Sequence, residues 1–401
     1  MGSRVFITGI GIISSIGNNV DETFNSLKSS NPGIGKLDNF STRHRDHCVV
    51  GEVKETNEQL IQRAGITPGA RHSRTTLLGM IAAREALRCA AIENIRSHRT
   101  GLVSATSVGG MGKAENHFME YLDPNDSNAN LDYINTLDCG DSTEHIANYL
   151  GIFEFLSTIS TACSSSANSI MYGARLIKQG IVDRVIAGGT DSLTRFSLNG
   201  FMSLKILDSG PCKPFDANRN GLNLGEGAGY VVLESERAAV GKKILAELTG
   251  YGNSNDAYHQ TASSPEGKGA LAAMQKAFAV NNIAPSSIDY INAHGTGTEL
   301  NDLSEGLAIQ QLFGENIPLL SSTKAFTGHT LAAAGGIEAV LAVLAIQHNL
   351  VYPNLNFQVP MPELNITPVQ KLITGKVLNH VLSNSFGFGG NTSSLIFSRA
   401  S

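Results

Sequence analysis

The order of elements along this chain constrains its fold more than any other feature of the sequence. Short apolar runs that read as β-strands alternate with helical patterns, and several of the runs end in glycine turns, as in "DRVIAGGTDS" (183–192). The helical pattern "GALAAMQKAFAV" (269–280) is followed by the strand-like "IDYINAHG" (288–295). Such alternation predicts an α/β fold, and we expect mostly parallel strands.

Two strand openings resemble each other and indicate two halves. The chain starts with "RVFITGIG" (4–11), and "ILAELTGYG" (244–252) repeats the order of an apolar strand followed by glycines. A polar hinge at 237–243 precedes the second opening. The 401 residues suffice for two domains of roughly 150 to 200 residues each. We therefore expect an N-terminal half at 1–241 and a C-terminal half at 242–401.

Charge and hydropathy argue against several classes of function. The net charge is −5, and no basic block is longer than "RHRDH" (43–47), so we expect no nucleic-acid partner. The N-terminus lacks the layout of a secretory signal, and the longest apolar stretch (339–346) is far too short to span a bilayer. Dinucleotide binding is also disfavoured, because Ser14 stands where the third glycine of GxGxxG is required. We expect a cytoplasmic protein without a membrane partner.

The cysteines form no recognisable framework. There are five, they are scattered, and no two form a CxxC pair, so neither a set of disulfides nor a zinc site is indicated. They are Cys48, Cys89, Cys139, Cys163 and Cys212.

Cys163 differs from the others in its surroundings, "STISTACSSSANS" (157–169). The apolar residues that follow it, from Ala167 to Ile177, fall on one helical face, so the thiol should lie at a helix N-terminus. There the helix dipole and the free N–H groups favour thiolate. Cys163 is either such a nucleophile or a buried structural cysteine.

Two of the eleven histidines, His294 and His329, lie in glycine-rich segments that follow strand-like runs. Each alone could be an ordinary core or surface histidine. Neither has neighbours at the spacing of metal ligands, and the GxSxG motif of serine hydrolases does not occur. A cysteine with two histidines remains, and that set suits acyl-thioester chemistry.

Five motifs then identify a family. Together they resemble the β-ketoacyl-acyl-carrier-protein synthases, in particular the elongating branch, in the family's order and over nearly the whole chain. The resemblance implies a thiolase-like fold, in which two pseudo-repeated halves form a five-layered αβαβα sandwich, and usually a dimer. The motifs are "STACSSSANSI", "KPFDANRNGLNLGEGAG", "NAHGTGTELND", "SSTKAFTGHTLAAAGGIEA" and "SNSFGFGGNTSSLIF".

The resemblance also implies roles for residues. Cys163 matches the acylated nucleophile, and His294 and His329 complete a Cys-His-His triad. Lys324 matches the family lysine beside the second histidine, and Glu338 matches the buried acid near it.

Further residues match the substrate-binding positions of the family. Thr296 and Thr298 match threonines that hold the phosphopantetheine arm. Phe388 matches the phenylalanine that gates the pocket, whose backbone N–H joins that of Cys163 in an oxyanion hole, and Phe386 lies in the same loop.

The implied reaction is the decarboxylative condensation of a malonyl thioester with the acyl chain on Cys163, which extends that chain by two carbons. The resemblance implies that no metal or redox cofactor is required and that the substrates are carried on the phosphopantetheine of an acyl carrier protein. The pathway is either fatty acid biosynthesis, with a homodimer, or a polyketide or aryl-polyene pathway, with a non-catalytic sister subunit. An inactive scaffold subunit is a third reading.

The sequence departs from the family pattern in two places. Asn220 and Leu222 stand where the family often has an acid and an aromatic residue, and "GGNTS" replaces the usual "GGTN". Neither departure touches the triad.

Overall fold

The computed structural model describes residues 4–39, 42–67, 72–122 and 132–400. The strands within these ranges are β1 (Val5–Ser14), β2 (Ile34–Gly35), β3 (Val50–Gly51), β4 (Thr100–Ala105), β5 (Phe155–Ile159), β6 (Arg184–Asp191), β7 (Gly227–Ser235), β8 (Ala246–Asn255), β9 (Tyr290–Asn292), β10 (Leu319–Ser321), β11 (Leu350–Val351), β12 (Ile373–Thr374), β13 (His380–Phe386) and β14 (Asn391–Ser398).

The α-helices of the same ranges are α1 (Val20–Lys28), α2 (Asn57–Ala64), α3 (Arg74–Cys89), α4 (Met111–Leu122), α5 (Asp132–Asn135), α6 (Cys139–Leu150), α7 (Ser165–Lys178), α8 (Arg195–Ser203), α9 (Lys268–Ala279), α10 (Glu299–Phe313), α11 (Lys324–Thr327) and α12 (Ala334–His348).

Ten of the strands form one sheet in the order β10-β9-β13-β14-β8-β1-β7-β6-β4-β5. The prediction of mostly parallel strands is wrong, because the pairs from β13 through β14, β8, β1 and β7 to β6 are all antiparallel. Only the two outer ends, β10-β9-β13 and β6-β4-β5, are parallel. A strand buried on both faces reads as a continuous apolar run, so its sequence does not report its direction.

The strand order repeats within the sheet. The sheet consists of two parts, β5-β4-β6-β7-β1 and β10-β9-β13-β14-β8. In each part the first strand in the chain lies at the inner end and the third lies at the outer edge, and the parallel and antiparallel pairs are the same. The two parts meet where β1 pairs with β8, over only two residue pairs. This repeat accounts for the similarity of the two strand openings in the sequence.

Helices divide the molecule into five layers. Helices α7 and α12 contact strands of both parts and therefore lie between them, within the largest apolar cluster. On the outer faces, α3 and α6 cover one part, whereas α9 and α10 cover the other. The expected αβαβα sandwich of two repeated halves is confirmed.

One helical stretch of the described residues, Leu331–His348, is long and apolar enough to cross a membrane by length and composition alone, with a mean hydropathy of 1.6. Of this stretch, 89% is buried inside the protein. A helix that is apolar on all sides and enclosed by protein belongs to the core of a large domain.

The carboxyl ends of four strands carry the predicted site residues. Cys163 follows β5, His294 follows β9, Lys324 follows β10 and Phe388 follows β13. Sites in sheets of this kind form beyond the carboxyl ends of strands. The fold thus brings segments of both parts to one location.

Candidate active site

Cys163 lies on a tight turn between β5 and α7. Ala162, which precedes it, has a φ of +53°, a left-handed conformation that costs a non-glycine residue roughly 1–2 kcal/mol. The side chain of Ser165 fixes the turn, since its Oγ accepts the Thr161 N–H at 2.8 Å and donates to the Ala162 carbonyl at 2.5 Å. The structure therefore places the thiol at a helix N-terminus, as the sequence predicts.

The protonation state of Cys163 differs from the expectation. Burial raises the pKa of the thiol to about 12, although Lys324 and the backbone N–H groups of Phe388 and Cys163 act in the opposite direction. Burial thus opposes the helix N-terminus, which by itself favours thiolate, because the desolvation of a fully buried thiolate outweighs these donors. The thiol must lose its proton before it can attack a thioester.

His294 and His329 lie against each other, with ring centroids 5.3 Å apart and ring planes at 88°. Each side chain is only 2% exposed. Burial and the nearby Lys324 hold the pKa of both imidazoles well below the usual value. Both rings are therefore neutral at physiological pH, and each carries one N–H donor.

Lys324 connects the first histidine to a buried acid. Its Nζ lies 3.2 Å from His294 Nδ1 and 2.5 Å from Glu338 Oε1, so Lys324 contacts His294 although it precedes His329 by only five positions in the chain. Burial raises the pKa of Glu338, and the ion pair with Lys324 opposes this shift. Because Nδ1 of His294 accepts from an ammonium group, the proton of the neutral ring is assigned to Nε2.

His329 is held by its backbone. Its N–H donates to the Asn223 carbonyl at 2.7 Å, and its own carbonyl accepts from the Gly225 N–H at 3.0 Å. The Nδ1 atom is buried and has no hydrogen-bond partner within the part of the chain that the structure describes. The ring of His329 is thus positioned without a fixed tautomer.

Two carboxylates that sequence reasoning missed support the His294 segment. Glu305 accepts the N–H groups of His294 and Gly295, both at 2.9 Å, and burial raises its pKa to about 7. Asp302 accepts the Gly297 N–H at 3.2 Å and the Phe215 N–H at 2.7 Å. Their spacing of three residues places them on one face of α10, but the pattern of this helix does not mark that face as buried.

A third carboxylate that sequence reasoning missed is Asp191. It connects the part of the fold that carries Cys163 with the part that carries the two histidines. It is fully buried at the carboxyl end of β6, and burial raises its pKa. It accepts from Thr106 Oγ1 at 2.5 Å and from the Ala332 N–H at 2.8 Å, three residues after His329. An acid that ends an apolar strand, as in "AGGTD", is the corresponding signal in the sequence.

The hairpin between β13 and β14 covers the thiol. Gly389 and Gly390, at its tip, both have a φ of +79°, a conformation that favours glycine. The ring of Phe388 stacks on Phe201 at a centroid distance of 5.6 Å, and the ring of Phe386 lies 5.5 Å from that of His294. The backbone N–H groups of Phe388 and of Cys163 itself both act to lower the pKa of the Cys163 thiol.

One cavity of about 320 Å³ collects most of the predicted residues. Lys324 and Glu338 lie behind His294 and do not line this cavity. The hydroxyls of the two threonines that line it are paired, with Thr296 Oγ1 2.8 Å from Thr298 Oγ1. A larger cavity of about 480 Å³, beside Arg74 and Glu226, contains none of the predicted residues. The predicted residues that line the smaller cavity are Cys163, His294, Thr296, Thr298, His329, Phe386 and Phe388.

Within 4–39, 42–67, 72–122 and 132–400, no group of three or more His, Cys, Asp or Glu side chains is arranged to hold a metal ion. The residues around the cavity present one thiol, two neutral imidazoles and the backbone N–H groups of Cys163 and Phe388. This set can exchange a thioester and stabilise negative charge on oxygen.

Comparisons with known proteins agree with this geometry. Residues 2–239 match the family described as "Beta-ketoacyl synthase, N-terminal domain", and residues 245–358 match "Beta-ketoacyl synthase, C-terminal domain". The chain is 36% identical to the "3-oxoacyl-[acyl-carrier-protein] synthase 2" of Staphylococcus aureus (strain N315), over 99% of this chain and 98% of the relative.

Two solved structures are similar over their full lengths and over all of this chain. The ishigamide ketosynthase/chain length factor superposes with a TM-score of 0.93 at 30% identity. A type II polyketide ketosynthase, solved in complex with its acyl-carrier protein and bound to the hexaketide, gives a TM-score of 0.88 at 27% identity. Sequence, fold and site agree, and the chain belongs to the β-ketoacyl synthase family.

Proposed function

We propose that this chain condenses a malonyl group carried by an acyl carrier protein with an acyl chain held on Cys163, and releases carbon dioxide. The single observation that carries the proposal is the shared cavity. It places the Cys163 thiol, two neutral imidazoles and the Phe388 N–H around one volume of about 320 Å³. An acyltransferase of this type needs a nucleophile, an oxyanion site and neutral donors for an enolate.

The first half-reaction loads the enzyme. Cys163 Sγ gives up its proton to a neutral imidazole of the cavity and attacks the carbonyl carbon of an acyl thioester. The N–H groups of Cys163 and Phe388 stabilise the oxyanion. Collapse of this intermediate breaks the bond to the carrier's sulfur, and the departing thiolate takes up the proton that left Cys163.

The second half-reaction forms the new bond. A malonyl thioester loses carbon dioxide, and the electrons of the broken C–C bond move into an enolate whose oxygen accepts from His294 and His329. Lys324 favours this arrangement, because its contact with Nδ1 leaves Nε2–H of His294 to donate. The carbanion then attacks the acyl carbon on Cys163, and the cysteine leaves as thiolate from a product two carbons longer. A proton from solvent then restores the Cys163 thiol.

We assign the catalytic groups to two halves of the chain. The half at 1–241 supplies the nucleophile, whereas the half at 242–401 supplies both histidines and the hairpin of Phe388. The repeated strand order supports this division, because the second set of strands begins with β8 at Ala246.

The carrier-bound substrates account for the remaining site residues. Thr296 and Thr298 line the cavity with paired hydroxyls, which suits hydrogen bonds to the amides of a phosphopantetheine arm. This reaction requires no metal or redox cofactor. The similar type II ketosynthase that was solved with its acyl-carrier protein supports such a carrier as partner.

We further propose a dimer in the cytoplasm. Strand β5 ends the sheet; Leu156 within it is 40% exposed, and Phe153 shortly before it is 60% exposed. An open strand edge with apolar side chains is a surface on which a second subunit can continue the sheet. That subunit is a second copy in a fatty acid pathway, or a related non-catalytic subunit in a polyketide or aryl-polyene pathway.

Identity with known proteins supports both pathways, since the relatives include the Staphylococcus enzyme and the ishigamide ketosynthase/chain length factor. A panel of acyl carrier proteins with different acyl chains, each supplied with malonyl carrier protein, tests the function by mass spectrometry of the products. Cys163→Ala serves as the control without nucleophile. A folded wild-type chain that forms no product with any primer, alone or purified with its genomic neighbours, would establish an inactive scaffold.

A further inference from the structure

The departure "GGNTS" places an asparagine at 391, the first residue of β14. Its side-chain Oδ1 accepts three hydrogen bonds: from Ser164 Oγ at 2.7 Å, from Asn253 Nδ2 at 2.8 Å and from Asn168 Nδ2 at 2.9 Å. An oxygen with three donors is the centre of this polar cluster rather than an incidental surface group.

The donors connect Asn391 to the nucleophile turn. Ser164 directly follows Cys163 in the chain, and Asn168 lies on the first turns of α7. Asn168 Nδ2 also donates to Thr161 Oγ1 at 2.9 Å, on the other side of Cys163. The cluster therefore holds the backbone on both sides of the thiol.

The backbone of Asn391 closes the hairpin that carries Phe388. The Gly387 N–H donates to the Asn391 carbonyl at 2.8 Å, which makes residues 387–391 a closed loop. A Cβ added to Gly387 would lie 2.8 Å from the Thr161 carbonyl oxygen and 3.1 Å from the Cys163 nitrogen. The hairpin and the nucleophile turn are thus packed backbone against backbone.

We propose that Asn391 is a positioning residue that sets the separation between the two oxyanion donors, the N–H groups of Cys163 and Phe388. This inference rests on the proposed function. Cys163 directly precedes Ser164, and Phe388 is three residues before Asn391. Besides direct packing, the bond from Ser164 Oγ to Asn391 Oδ1 is therefore the shortest connection between the two donor N–H groups. A threonine at 391 carries its oxygen one bond nearer to the backbone and cannot span the same distance.

The neighbouring Thr392 offers a matched control. It is 2% exposed, and its Oγ1 donates to the Gly269 carbonyl at 2.9 Å, on the opposite face of the strand. Thr392→Val removes a buried hydrogen bond next to Asn391 without touching the nucleophile turn. Asn391→Asp is the conservative variant, because it keeps an acceptor oxygen at the same reach.

The experiment compares two half-reactions in the full-length enzyme. Single-turnover acylation of Cys163 by acyl carrier protein is followed by intact-protein mass spectrometry, and release of carbon dioxide from malonyl carrier protein is measured separately. We expect Asn391→Ala to slow acylation about 10- to 100-fold, the effect of a small misplacement of a catalytic group, while decarboxylation stays within about threefold of wild type. Asn391→Asp should acylate at close to the wild-type rate, and Thr392→Val should change neither rate.

A second route covers a variant that fails to fold. Ser164→Ala breaks the same bond from its other end and should slow acylation alone in the same way. Where both single variants fold, the double variant should be no slower than the slower of the two. Wild-type acylation rates in Asn391→Ala, or equal losses in both half-reactions, overturn the inference but leave the proposed function intact. A folded wild-type enzyme that forms no acyl-enzyme overturns the proposed function and the inference with it.

Discussion

The connection from β5 to α7 and the connection from β10 to α12 occupy equivalent places in the two repeated parts, but their chemistry differs. The first, residues 160–164, is a short turn with Cys163. The second, residues 322–333, is longer and carries Lys324 and His329. The repeat therefore fixes where a reactive group stands, whereas the length and sequence of each connection decide which group it is.

The starts of the two helices bring these connections together. The Gly336 N–H of α12 donates to Ser166 Oγ of α7 at 2.7 Å. A Cβ at Gly335 would lie 2.8 Å from the Ala167 nitrogen, closer than side chains are found, so the helices can approach this closely only with glycine there. The contact explains why thiol and imidazole share one cavity although they belong to different parts.

The largest effect should come from removing the group of the first connection. Cys163→Ala should abolish formation of the acyl-enzyme, because no other group replaces the sulfur, while malonyl decarboxylation continues. Intact-protein mass spectrometry and carbon dioxide release measure the two. Cys212→Ala is the matched control, because Cys212 is as buried and burial also raises its pKa to about 12, yet it does not line the cavity. Acylation of Cys163→Ala at any rate would assign the nucleophile elsewhere.

The histidines should show the opposite pattern. His294→Ala and His329→Ala should each lower malonyl decarboxylation by about 10²–10³, the usual cost of one oxyanion donor, and each should keep some acylation. Because both are proposed to donate to one enolate oxygen, the double variant should lose less than the product of the two factors. If either variant decarboxylates at the wild-type rate, that histidine does not contact the enolate.

A smaller effect concerns the proton on the thiol. Burial raises the pKa of Cys163 to about 12, so its thiolate fraction should grow about tenfold per pH unit below that value. Alkylation of Cys163 by iodoacetamide should therefore be roughly 100-fold faster at pH 9 than at pH 7. Peptide mapping separates Cys163 from the exposed Cys89. A rate independent of pH in this range would mean that the resting residue is already thiolate, as the helix position alone suggests.

The contrast between the two connections also shows what sequence could predict. The helix N-terminus at Cys163 could be predicted because a strand, small residues and an apolar helical face follow one another locally. The protonation state of the Cys163 thiol could not be predicted, since it depends on Lys324, Asp191 and Phe388, which come from distant segments. Strand direction failed for a related reason, because the apolar pattern of a buried strand is the same in either direction.

The supporting carboxylates illustrate the same limit. Glu305 and Asp302 stand among polar residues of α10, a helix whose pattern gives no sign of which face is buried. Only the folded chain shows that they accept N–H groups of the His294 segment. Motifs thus indicated the residues that face the cavity and also Lys324 and Glu338 behind them, whereas the supporting carboxylates were identified only from their contacts.

The smallest expected effect comes from Phe388, in the hairpin between β13 and β14. It tests whether this hairpin gates access to the Cys163 turn or only packs against it. Phe388→Ala keeps the backbone N–H that reaches Cys163 but loses the stacking on Phe201, so acyl transfer should slow by about tenfold. The ring is only half-buried, and an aromatic pair contributes about 0.5–1.5 kcal/mol beyond its area, so the melting temperature should fall by only a few degrees. Phe201→Ala removes the same stacking from the other side and should slow acyl transfer similarly, since the lost contact is shared. Phe397→Ala, in the fully buried part of β14, gives the melting-temperature loss of an ordinary core phenylalanine. If Phe388→Ala loses as much stability as Phe397→Ala and no more activity than its unfolding explains, Phe388 is core and the hairpin has no gating role.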